Sequence, residues 1–265
     1  MRHACISMMR NQFGAGQLTI VPIASTLYSM PQRRVPSLPA DTRIYAVGDI
    51  HGRADLLADI NARIDDDLMR RPIRYSAEVY LGDYIDRGPD SSRVISLLAT
   101  RLVRNRAVCL RGNHEAMLEA FLAEPAALAD WLALGARQTL ASYVITNTTD
   151  CTPRDLLRQL HERLPRTHQL FLQCLSDSYC CGDFFFVHAG IRPGVSLELQ
   201  KVHDMMWIRE EFLDSTQAFE RYIVHGHTPV PHPDIRNNRI NIDTGAWRSG
   251  VLTCIAIEGS EIVVL

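Results

Sequence analysis

The chain has 265 residues, enough for one sizeable domain or two small ones. Its composition, 46% hydrophobic and 22% charged, is that of a globular protein able to bury a core, which excludes a disordered or fibrous chain. Twenty-eight basic against 30 acidic residues leave a net charge of −2, which argues against a nucleic-acid-binding surface as the main function.

In chain order, residues 1–40 carry four arginines and no acid before Asp41, with three prolines between Met30 and Ala40. No clean apolar run followed by a cleavage site marks a targeting peptide, so residues 1–41 read as a loosely ordered tail. Folded structure is expected from Thr42, as one domain over 42–265. Arg43–Val47 is a short apolar run ending at Gly48, followed by a helical pattern from Arg53 to about Met69. Glu78–Leu81 ends at Gly82 and precedes a helix from about Pro89 to Val103. Arg106–Leu110 ends near Gly112, and a helix starts at Asn113. Strand, glycine-bearing loop and helix, three times over, predict an α/β architecture with functional residues at the carboxyl ends of the strands.

Residues 116–176 read as a helical insertion, broken at Pro125, around Asn147–Pro153 and at Pro165. Strands return at Ser178–Cys181, Phe184–Val187, Arg221–Val224, Arg239–Ile242, Val251–Ile257 and Ile262–Leu265. Short polar turns between them predict antiparallel pairs in a second sheet packed on the first. The expected fold is a two-sheet β-sandwich flanked by helices. The apolar runs fall far below the roughly 18 residues of a membrane span. Seven cysteines without a CxxC pair point to reduced thiols in a cytoplasmic protein. Lys201 is the only lysine, and the arginines that replace the rest suit capture of phosphate, although most fall on helix-like surfaces.

The strand-end loops carry polar residues of one kind. Asp49 and His51 follow the first strand, Asp83, Asp86 and Arg87 the second, and Arg111, Asn113, His114 and Glu115 the third. Later come His188, the pair His225 and His227, and Asp243. Each has a plainer reading alone: a lone buried histidine is more often a satisfied core residue, Asp243 before Thr-Gly reads best as a turn cap, and His232 between prolines as solvated. Convergence outweighs the plain readings. Carboxylate, imidazole and amide donors without thiolate suit Mn²⁺, Fe or Zn²⁺. There are too many for one ion, and two ions roughly 3.5–4 Å apart are a known device for phosphate-ester hydrolysis.

GDIHG, GDYIDRGPDS, RGNHE, HAG and HGHT, at 48–52, 82–91, 111–115, 188–190 and 225–228, resemble the PPP family of serine/threonine protein phosphatases within the calcineurin-like metallophosphoesterases. HAGIRPG, WIREEF and INIDTGA are similar to compact bacterial members. The resemblance spans roughly residues 42–257 and implies the following. Asp49, His51 and Asp83 hold one divalent ion, Mn²⁺ foremost with Fe or Zn²⁺ as alternatives. Asp83 bridges to a second ion held by Asn113, His188 and His227, with His227 rather than His225 matching the family's ligand. Pro229 stands where the wider group often has another histidine, which leaves the first site three protein ligands and water. Hydroxide shared by the ions attacks phosphorus directly, Arg87, Arg111 and Arg209 neutralise the phosphoryl oxygens, and His114, oriented by Asp86, protonates the leaving oxygen. The implied substrate is a phosphorylated protein, on serine, threonine or tyrosine, or a small phosphoester. A dinucleoside tetraphosphatase and a catalytically lapsed, metal-bound scaffold are the alternatives. Specificity is expected in the helical insert and in the loops around Arg192 and His232, and oligomeric state is not legible.

Overall fold

The computed structural model describes residues 35–104 and 107–265. Three strands open the domain: β1 (Thr42–Val47), β2 (Tyr75–Tyr80) and β3 (Ala107–Cys109). They are parallel neighbours, and the long helices α1 (Ala54–Arg70) and α2 (Ser91–Arg104) make the crossovers. The insert follows as α3 (Asn113–Ala123), a short 3-10 turn at Pro125–Ala127, α4 (Leu128–Ala133), α5 (Ala136–Ser142), α6 (Pro153–Arg163) and α7 (Arg166–Gln173). Three of its breaks fall where sequence punctuation puts them, while the break at Leu134–Gly135 between α4 and α5 is unexpected. Pro125 opens the 3-10 turn, and Thr152 caps α6 by accepting from the Asp155 amide, with Pro153 in the first turn.

The later strands are β4 (Ser178–Cys181), β5 (Phe184–Val187), β6 (Tyr222–His225), β7 (Asp234–Ile235), β8 (Arg239–Asn241), β9 (Cys254–Glu258) and β10 (Glu261–Val264). Short helices α8 (Val202–Trp207), α9 (Glu210–Leu213) and α10 (Ala246–Ser249) interrupt them. One sheet has the order β10-β9-β1-β2-β3, the other β4-β5-β6-β8-β7. The expected antiparallel pairing holds for β4–β5 and β9–β10, and β7, an unexpected strand, pairs antiparallel with β8; the expectation fails at the centre of the second sheet, where β5, β6 and β8 run parallel. Long connections between these strands, such as the one carrying α8 and α9, allow crossovers that a hairpin reading misses. The last two strands also leave the second sheet and join β1 of the first.

Period-two alternation sorts the core. Tyr45 and Val47 of β1, with Tyr80 and Cys254, face the helices around Leu57, Ile64, Val94 and Leu98. Ile44 and Ala46, with Val79, Ile255 and Ile257, meet Phe184, Phe186, Val224 and Ile240 between the sheets. On the far face, Phe185, Val187 and Ile223 pack under Met205, Ile208 and Phe212. Both sheets are therefore covered on both faces, which is why their strands read as near-continuous apolar runs.

Ordered packing starts ahead of Thr42. Leu38 is buried between the sheets, its amide donating to Gly259 O at 2.8 Å, while the Ser37 amide donates to Asp183 Oδ2 at 3.0 Å. Ser37 and Leu38, expected in a loose tail, are thus packed into the domain; residues 1–34 of that expectation lie outside the described residues, as does Arg106 of the third expected strand. Among the described residues no helix is long and apolar enough to cross a membrane.

Leu57 on α1 is fully buried, whereas Met69 near the end of the same helix is 79% exposed. Leu57→Ala is expected to lower unfolding free energy by about 2–5 kcal/mol, and Met69→Ala to stay within about 0.5 kcal/mol. Urea unfolding checks this, and equal losses would reject the assigned face.

Candidate dinuclear metal centre

The carboxyl ends of β1, β2 and β3 and those of β5, β6 and β8 deliver their loops to one place. Asp83, after β2, lies at its centre and is buried. Its Oδ2 is 3.5 Å from His51 Nε2 and 3.7 Å from His114 Nε2, while its Oδ1 is 3.4 Å from His188 Nε2. His188 Nε2 also lies 3.1 Å from both Asn113 Oδ1 and His227 Nδ1. The two oxygens of Asp83 thus address two groups of donors, so Asp83 stands where a carboxylate shared between two ions would. Asp49 completes the set by accepting the His227 amide, at 3.0 Å on Oδ2. His225, by contrast, packs its ring edgewise on Phe212 at 4.9 Å.

The imidazole tautomers are decided by backbone. His51 Nδ1 donates to Ile85 O and His188 Nδ1 to Leu81 O, each at 2.9 Å, so each Nε2 turns a lone pair toward Asp83. Burial pushes His51 down to about 3 and His227 to about 2, and lowers His188 too, so all three are neutral at pH 7, the form in which imidazole can hold a metal. Burial, then the charges of Asp243 and Asp83, hold the Asp49 carboxyl well above the usual range. Lone pairs converging from imidazole, amide and carboxylate on a buried space, with crowded negative charge, fit divalent cations. Asp49, His51, Asp83, Asn113, His188 and His227 are the residues that would hold them.

Backbone strain concentrates here. Of the seven non-glycine residues with positive φ among the described residues, five (His51, Asp83, Asp86, Arg87 and His227) lie in these loops. Close approach explains two motif glycines. A Cβ on Gly112 would sit 2.2 Å from Asp83 Oδ1, and one on Gly226 2.1 Å from Asp49 Oδ1.

Residues 42–248 match the calcineurin-like phosphoesterase family. The chain belongs to that family. Among curated relatives it is 28% identical over 240 residues to the bis(5'-nucleosyl)-tetraphosphatase PrpE of Bacillus cereus, covering 82% of this chain and 91% of the relative. It is 27% identical over 226 residues to serine/threonine-protein phosphatase 2 of Salmonella typhimurium, covering 81% of this chain and 93% of the relative. Among solved structures, the cold-active protein-tyrosine phosphatase of a psychrophilic Shewanella sp. shares the fold, with a TM-score of 0.55 at 16% identity over 86% of this chain and 80% of that one. The chain is a metallophosphoesterase, and its two mixed sheets with flanking helices are the fold of these neighbours.

In this phosphoesterase the other expected residues lie unequally close to the cluster. His114 Nδ1 meets Asp86 Oδ2 at 2.7 Å, and His114 Nε2 is buried without a hydrogen-bond partner. Burial alone would lower the His114 proton affinity, but the Asp83 charge and the Asp86 hydrogen bond outweigh it and raise it. Arg87 Nη1 reaches His51 Nε2 at 3.0 Å, its guanidinium lying over Trp247. Arg209 donates to Thr228 Oγ1 at 3.0 Å and its charge is felt by His188 and His227. Arg111 is instead engaged by Asp177 at 3.2 Å and Glu119 at 3.4 Å, which shares out the charge expected to face phosphate. Asp243 caps its turn by accepting from Gly245 N at 2.8 Å, as its Thr-Gly context predicts, and also stands beside Asp49. His232 is exposed.

Sequence reasoning left three residues without a role. Glu115 accepts the amides of Gly112, Asp83 and Tyr84 and so ties the second loop to the third; its place in RGNHE was the available signal. Trp131 and Thr139, which contact Asp86 from the insert, have no local signal, being 45 and 53 residues away in sequence.

Gly226→Ala forces Asp49 from its place. Its affinity for Mn²⁺ is expected to fall about 10–100-fold with unchanged far-UV circular dichroism. Calorimetry on metal-stripped protein checks this, and wild-type affinity would refute the crowding argument.

Proposed function

We propose that this metallophosphoesterase hydrolyses phosphomonoesters on protein side chains, phosphoserine and phosphothreonine foremost, with Mn²⁺ as its working ion. The buried His114–Asp86 pair carries the reading. An alkoxide leaves poorly and needs a proton as the P–O bond breaks, whereas a nucleoside phosphate leaving from an anhydride has little such need. With Nδ1 committed to Asp86, Nε2 is the His114 atom that can give that proton. Bound at the cluster, two divalent cations would supply positive charge to the phosphoryl oxygens and a water that ionises near neutral pH. Arg87 and Arg209 add donors for the non-bridging oxygens, and Arg111 is the third candidate once its carboxylate partners are counted against it.

A second reading, cleavage of dinucleoside tetraphosphates, is favoured by the several PrpE relatives, the Bacillus cereus protein among them. Metal-stripped protein with added Mn²⁺ distinguishes the two. Phosphate release from phosphoserine, phosphothreonine and phosphotyrosine peptides is compared with nucleotide products from diadenosine tetraphosphate. Peptide turnover that needs Mn²⁺, vanishes in Asp83→Asn and falls about 10²–10⁴-fold in His114→Asn is expected. Turnover of the dinucleotide alone would install the second reading, and none on either substrate with metal bound would point to a scaffold.

A further inference from the structure

Asp86 receives more partners than orienting one histidine requires. Its Oδ2 accepts from His114 Nδ1 at 2.7 Å and from Trp131 Nε1 at 3.0 Å. Its Oδ1 accepts the Thr139 hydroxyl at 2.5 Å, and its own amide donates to Thr139 Oγ1 at 2.9 Å and to Ser91 Oγ at 3.1 Å. Asp86, His114, Trp131, Thr139 and Ser91 are all fully buried. An indole N–H can only donate and the threonine proton is already placed on Oδ1, so the plane of the carboxylate is fixed from both edges. Thr139 is β-branched within α5 and Trp131 packs on Phe121 of α3 at 5.4 Å, so neither partner is free to swing. The turn between α4 and α5 also holds the next residue, since Gly135 O accepts the Arg87 amide at 3.3 Å. Asp86 and Arg87 have φ of 69° and 66°, conformations that persist only when their surroundings over-determine them.

We propose that Trp131 and Thr139 are positioning residues for proton delivery, through which the helical insert locks Asp86 and aims His114 Nε2 at the leaving oxygen. The inference rests on the role given to His114 above. As a water oxygen bonds to phosphorus and the bond to the leaving oxygen breaks, that bond's electron pair stays on the leaving oxygen, which takes the proton from His114 Nε2; the proton lost by the attacking water, passed through solvent, later restores it. A misaimed imidazole delays departure of an alkoxide and hardly affects one that leaves unaided.

The test uses Mn²⁺-loaded protein with a phosphoserine peptide, whose alkoxide leaves poorly, and p-nitrophenyl phosphate, whose phenolate leaves well. Thr139→Val and Trp131→Phe are expected to lower kcat on the peptide about 10–100-fold, a part of the general-acid effect, with p-nitrophenyl phosphate turnover near wild type. Thr139→Ser keeps the hydroxyl and should retain the peptide rate. Equal slowing of both substrates, or of neither, overturns the inference. His114→Asn runs alongside: if it slows both substrates alike, the proton-delivery role itself fails, whereas a leaving-group split in His114→Asn alone rejects only Trp131 and Thr139. A readout independent of turnover is the His114 Nδ1–H resonance in Zn²⁺-loaded protein. It should shift or broaden in Thr139→Val and persist in Thr139→Ser, and an unmoved resonance in Thr139→Val overturns the proposal.

Discussion

Three carboxylates, Asp49, Asp83 and Asp243, are buried within reach of one another's charge, and much of the fold is arranged to keep them there. Alone, such a group would disperse or protonate, because burial and mutual repulsion both disfavour the ionised form. The backbone opposes this with fixed hydrogen bonds: Glu115 ties the Asp83 loop, the His227 amide holds Asp49, and the Gly245 amide holds Asp243. Neutral imidazoles fill the remaining directions. The cluster is a counter-charge in waiting, and divalent cations are what its donor chemistry fits.

The sandwich supplies the convergence. Parallel strands β1–β2–β3 and β5–β6–β8 each present carboxyl ends at one edge, so loops far apart in sequence meet there. Because both faces of both sheets are covered by apolar packing, the strand ends are rigid platforms, and the strained φ values of His51, Asp83 and His227 can be maintained. Glycines 112 and 226 are needed for the same reason, since two loops touch at each.

The helical insert has a second use beside bulk. By reaching Asp86 through Trp131 and Thr139, and Arg87 through the Gly135 carbonyl, this region, where specificity is expected, is joined to the loop beside the candidate metal cluster. Stability of α4 and α5 and the placement of the Asp86–His114 pair are thereby coupled through buried hydrogen bonds, which are costly to leave unmade.

Composition and pattern alone determined the α/β class, the helix breaks at Pro125, Asn147–Pro153 and Pro165, and the strand-end position of every expected ligand, because these depend on local periodicity and on residues within a few positions of each other. The family resemblance singled out His227 over His225, and the structure packs His225 against Phe212. Tertiary structure alone decided the parallel centre of the second sheet, the return of β9 and β10 to the first, and the burial of Leu38 ahead of the first strand. It also drew Arg111 to Asp177 and Glu119, and brought Trp131 and Thr139 to Asp86. Each of these is a pairing across long stretches of chain, where the deciding energy is burial and hydrogen-bond satisfaction between distant segments, and no local window of sequence carries that information.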